Sequence, residues 1–90
     1  MAHTIREKKK LLARVRRIQG QATALEKALE GESDCASVLQ QIAAIRGAVN
    51  GLMAVVMEEH LMDHVVREPE AERREQDMDT VLQVIRSYLK

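Results

Sequence analysis

Four side chains carry types and spacings suited to binding a cation. His60 and His64 are four residues apart, the interval at which a helix sets two imidazoles one above the other, within reach of one metal ion. Cys35 is the single cysteine, too few for a disulfide framework but sufficient for one soft sulfur ligand. His3 precedes the first helix, and removal of Met1, which the small Ala2 permits, would leave a free α-amine beside that imidazole. One thiolate, two or three imidazoles and an amine suit Ni(II) or Co(II). Cu(I) would prefer more thiolates, and Zn(II) is compatible with the set.

A second group of side chains suits a polyanion. On a helical wheel Lys10, Arg14, Arg17 and Gln21 line one flank, with Arg6 nearby. Cations along a line track phosphates, and Gln or Arg can read base edges. No Ser/His/Asp set, glycine-rich phosphate loop or proton-transfer pair accompanies them, so nothing points to an enzyme.

Three helices must position these residues. Thr4 and Glu7 fit a capping box, and Leu11, Val15, Ile18, Ala22, Leu25 and Leu29 then repeat at alternating steps of four and three, predicting a helix over 4–30 with a heptad seam. Gly31 is expected to close it in the left-handed conformation, and Ser33 or Asp34 to cap the next helix. That helix meets no proline until Pro69 and should run over 34–67, roughly 50 Å at 1.5 Å per residue. A third helix over 70–89 puts Met78, Leu82, Ile85 and Leu89 on one face and acids on the other. The fold class is all-α.

Two long helices and a short one cannot enclose one another, so a second copy must cover the seams, most simply as an antiparallel bundle. Ala43, Gly47 and Gly51 recur every four residues of helix 2, and a glycine inside a helix costs about 1 kcal/mol relative to alanine, which close helix approach would justify. Heptad steps from Cys35 lead through Leu39, Ile42, Arg46, Val49, Met53 and Val56 to His60 and His64. Within one chain Cys35 and His60 would stand roughly 37 Å apart. About a two-fold axis between two antiparallel copies, Cys35 would instead meet the partner's imidazoles, because residues 35 and 60 are centred between 47 and 48, and 35 and 64 between 49 and 50. Both centres fall in the Gly47–Gly51 patch.

The chain has 90 residues, enough for one domain, and Tyr88 is its only aromatic residue apart from the histidines. Its formal net charge of zero conceals an asymmetry: residues 1–30 carry eight basic against three acidic groups, and residues 58–79 nine acids against three arginines. A basic end favours a polyanion partner or pairing between segments. No apolar run approaches the roughly 18 residues that span a bilayer, and no signal peptide is visible, so a cytoplasmic protein is expected.

The stretches Arg14-Val-Arg-Arg-Ile-Gln-Gly-Gln21 and Val38-Leu-Gln-Gln-Ile-Ala-Ala-Ile-Arg-Gly-Ala-Val-Asn-Gly-Leu-Met53, together with Cys35, His60, His64 and Tyr88-Leu-Lys90, resemble the CsoR/RcnR/FrmR family of bacterial repressors over nearly the whole chain. The resemblance implies an all-α dimer that assembles into a dimer-of-dimers tetramer, binds operator DNA when empty and releases it when its effector arrives. Copper- and persulfide-sensing members carry a second cysteine that this chain lacks. The opening Ala2-His-Thr-Ile-Arg with Cys35, His60 and His64 resembles the nickel- and cobalt-responsive RcnR branch. That branch implies His3, Cys35, His60, His64 and the amine of Ala2 as ligands, and derepression of a metal efflux or detoxification gene. Formaldehyde-responsive FrmR-like members are the alternative, using Cys35 and the N-terminal amine, although they typically have proline where this chain has Ala2.

Overall fold

The computed structural model describes residues 7–88. Helices α1 (Lys8–Glu30), α2 (Cys35–Leu61) and α3 (Ala71–Tyr88) follow in order, with a π-helical segment (Met62–Val66) continuing α2. Among the described residues there is no strand. The all-α, three-helix reading holds, with changes at the helix ends.

Thr4 and its cap lie outside the described residues, and α1 begins at Lys8. Glu7 precedes it with φ −94° and ψ 41° and makes no side-chain cap. Its carbonyl accepts the Leu11 N–H at 3.0 Å, and its carboxylate lies 3.3 Å from Lys10 Nζ. Glu7 is therefore the boundary residue of the helix and not the third residue of a capping box. The left-handed ending expected of Gly31 is also corrected: the residue is extended, with φ −95° and ψ −154°. Its N–H still bonds to the Lys27 carbonyl at 3.0 Å, so the last turn is closed without a change of hand. Asp34 caps α2 as expected, its Oδ1 accepting the Ser37 N–H at 2.7 Å.

The chain divides into two compact units, residues 1–53 and 54–90. In the first, α1 and the opening of α2 form an antiparallel hairpin. The Arg14 guanidinium lies where a Cβ on Gly51 would meet it at 3.4 Å. Arg14 is sixteen residues before the end of α1, and Gly51 is sixteen after the start of α2. Leu11 is buried, and Ile18, Gln21, Leu25 and Ala28 on α1, with Val38, Gln41, Ile45 and Ala48 on α2, are half-buried lines at helical spacing. The seam drawn through Val15, Ala22 and Leu29 is thus rotated by about one residue from the side the chain uses internally. Leu12, Val15 and Leu29 on α1, and Leu39, Ile42 and Val49 on α2, remain open to solvent.

In the second unit the chain widens by one residue per turn at Met62–Val66, marked by the Arg67 N–H reaching the Met62 carbonyl five residues back at 3.0 Å. Arg67 also pairs with Asp63 at 3.0 Å. Pro69 then interrupts the helical path, and Arg74 ties the turn down: its Nη1 donates to the Glu68 carbonyl at 2.8 Å and the Pro69 carbonyl at 3.1 Å. That clamp ties the first turn of α3 to the turn that follows the π segment. Val81 is the buried centre of α3, and Arg74, Asp77, Met78, Leu82 and Ile85 are half-buried around it. The expectation that acids keep to the opposite face is corrected by Asp77, which the Arg74–Asp77–Val81 spacing carries inward.

Leu11 and Val81 are the only apolar side chains that the described residues bury. The length and composition of one stretch correct the expectation about hydropathy: Cys35–Val66 contains an 18-residue window of mean hydropathy 1.2, long and apolar enough by composition to cross a membrane. Scattered Ser, Gln and Asn residues hide that window from a search for an unbroken apolar run, because Arg46 is the one charge between Cys35 and Met57.

Candidate metal centre

The imidazole pair is built by the end of α2 and the π segment. His60 is in the last turn of α2 and His64 in the widened turn that follows. Their ring centroids are 4.6 Å apart with planes tilted by 33°, a contact distance typical of packed aromatic rings. His60 Nε2 is buried and has no hydrogen-bond partner. A buried ring nitrogen without a partner costs free energy, and a cation beside it would remove that cost. His64 Nδ1 lies 3.6 Å from Asp77 Oδ2, with the two side chains 22% and 32% exposed. This partner was not visible in the sequence as a site residue; the only signal was its place on the Val81 line of α3.

Cys35 belongs to the first unit. It is the first residue of α2, held there by the Asp34 cap, and its thiol is free and exposed. Among the described residues of one chain, no three Cys, His, Asp or Glu side chains gather into a metal cage. Ala2 and His3 lie outside the described residues. Borderline nitrogen donors, an orphaned Nε2 and an accessible thiol are chemically suited to a late first-row divalent ion.

The basic flank is placed less uniformly than its wheel implied. Lys10, Arg14 and Arg17 are exposed, with Lys10 near Glu7 and Arg14 laid over Gly51. Gln21 departs from that line: it is half-buried, and its Oε1 is shielded from solvent without a partner. Gln41 on α2 has an amide oxygen in the same condition. Within the single chain a Cβ at Gly51 would meet only the end of the flexible Arg14 side chain, at 3.4 Å, and a Cβ at Gly47 would meet nothing within 4 Å.

Residues 7–87 match the family model described as "Metal-sensitive transcriptional repressor". The chain is 57% identical over 90 residues, covering all of both chains, to the transcriptional repressor RcnR of Salmonella paratyphi B. Among solved structures it is similar to a variant of the formaldehyde-responsive regulator FrmR from Salmonella enterica serovar Typhimurium, with TM-score 0.86, 46% identity, and 97% of this chain and 99% of that one covered. It is also similar to the copper-sensing repressor CsoR with Cu(I) from Geobacillus thermodenitrificans, with TM-score 0.87, 26% identity, and 100% and 95% covered. Helices, site and likeness together define a transcriptional regulator and not an enzyme. The chain belongs to the metal-sensitive transcriptional repressors, the CsoR/RcnR/FrmR family.

Proposed function

We propose that the metal-free protein binds operator DNA and that Ni(II) or Co(II) releases it, derepressing a metal efflux or detoxification gene in the cytoplasm. The observation that carries this reading is the His60–His64 pair with its orphaned Nε2, in a chain 57% identical to a protein named RcnR. His60 and His64 of one copy, Cys35 of another, and His3 with the α-amine of Ala2 form the ligand set, and Zn(II) is a further fit. The ion supplies a charge that draws these donors together. Cys35 joins as thiolate and the imidazoles as neutral donors, so binding gives up protons.

The seams left open on α1 and α2 support an antiparallel dimer, and two dimers make the tetramer. Lys10, Arg14 and Arg17 contact phosphates, with Gln21 at the end of that surface. Metal would tie the arm bearing His3, which leads into α1, to α2. A coupling of about 1 to 3 kcal/mol between the metal and DNA sites changes DNA affinity about 5- to 150-fold, and acts equally in both directions. A second reading has its own support in the 46% identity to a formaldehyde-responsive regulator and the exposed Cys35: thiol, amine and formaldehyde would condense to an S–CH2–N bridge with loss of one water.

The test is fluorescence anisotropy on a duplex captured from genomic DNA by the metal-free protein. Ni(II) or Co(II) should dissociate the complex for the wild type but not for Cys35→Ala or His64→Leu. Release by formaldehyde without any response to metal would replace the first reading by the second. Absence of DNA capture at low salt would contradict both.

A further inference from the structure

The geometry points to Asp77 as a positioning residue for His64, which keeps the proton of that imidazole on Nδ1 and so presents Nε2 to the metal. This rests on the reading that His64 is a ligand. A neutral imidazole carries one proton on two nitrogens, and whichever lacks it offers the lone pair. Asp77 Oδ2 is 3.6 Å from His64 Nδ1, and an ionised carboxylate only accepts. Its charge therefore favours the Nδ1–H tautomer. The separation exceeds hydrogen-bond length, so the carboxylate would have to close by about 0.7 to 0.9 Å to make a charge-assisted bond when a cation on Nε2 makes the Nδ1–H a stronger donor.

Three features hold the two groups in register. The π segment sets the direction of His64. The packed His60 ring, 4.6 Å away centre to centre, limits its rotation. Arg74, one turn before Asp77, anchors α3 to the Glu68 and Pro69 carbonyls. Because Asp77 faces Nδ1, a cation on Nε2 would sit at the opposite edge of the ring, and Asp77 is a partner of the ligand and not a ligand itself.

The experiment compares wild type, Asp77→Ala, Asp77→Asn and His64→Leu in the full chain. It reads Ni(II) affinity by chelator competition and the His64 tautomer by two-bond nitrogen–proton correlations in the metal-free protein, with helical content as control. Asp77→Ala should lower affinity about 10- to 100-fold and mix the His64 tautomers. Asp77→Asn, whose amide oxygen still accepts, should keep Nδ1–H and most of the affinity. An unchanged tautomer or affinity in Asp77→Ala overturns the inference, as does an equal loss in both Asp77 variants. If Asp77→Ala does not fold, a wild-type His64 found as the Nε2–H tautomer overturns it equally well. Unchanged affinity in His64→Leu would instead remove the underlying ligand assignment.

Discussion

Replacing Gly47 by alanine separates what one chain wants from what an assembly wants. In the isolated chain an added Cβ meets nothing within 4 Å, so helix propensity alone makes Gly47→Ala stabilising by about 1 kcal/mol per chain. For a domain of this size that would raise the melting midpoint by about 4 to 8 °C. If α2 of a second copy crosses at the Gly47–Gly51 patch, each copy places a new methyl in a close helix contact, where overpacking costs typically about 1 to 3 kcal/mol per site. Two sites per dimer then offset or exceed the propensity gain of about 2 kcal/mol, and the loss appears as weaker association. Gly20→Ala on α1, also with nothing within 4 Å, supplies the propensity control. Urea unfolding at several chain concentrations, with sedimentation equilibrium, reads both terms. A Gly47→Ala protein that gains as much stability as Gly20→Ala and associates as tightly as wild type would refute the close crossing.

Co(II) added to the metal-free protein should produce a sulfur-to-metal charge-transfer band in the near ultraviolet that Cys35→Ala lacks; an identical spectrum in that variant removes Cys35 from the ligand set. Exchanging Arg14 or Arg17 for alanine should weaken DNA binding and flatten its log–log salt dependence by about 0.9 for each phosphate no longer neutralised, with Ni(II) affinity unchanged. Normal DNA binding by the double variant at moderate salt would remove that surface. His3→Leu should blunt the release of DNA by metal and leave metal-free DNA binding intact, which the anisotropy assay reads directly.

The helices were legible because each boundary has a local chemical cause: Asp34 caps α2, Gly31 follows α1 and Pro69 precedes α3. The π segment was not. It runs into the turn at Glu68–Pro69 that Arg74 ties down, a contact across six residues that periodicity does not encode. The α1 seam was half legible for a related reason: apolar residues form two lines about one position apart, and only the hairpin decides which of them faces α2.

The imidazole pair followed from spacing alone, and the structure brings its rings together. Asp77 was missed because its partner is thirteen residues away on another element, and its chemical type grouped it with the solvent-facing acids of α3. Gln21 shares a wheel position with exposed cations, yet it is half-buried and its amide oxygen is shielded, which the wheel alone does not encode.

A site divided between copies is the claim on which metal binding, assembly and release all depend. Mixing Cys35→Ala chains with His60→Leu, His64→Leu chains tests it most directly, read as tight Ni(II) or Co(II) stoichiometry after subunit exchange has been verified. Neither variant alone should bind tightly, because each of its crossings lacks part of the ligand set. A mixed dimer has one crossing with an intact cysteine facing intact histidines, so about one metal per mixed dimer is predicted. No tight metal in exchanged dimers would contradict the account.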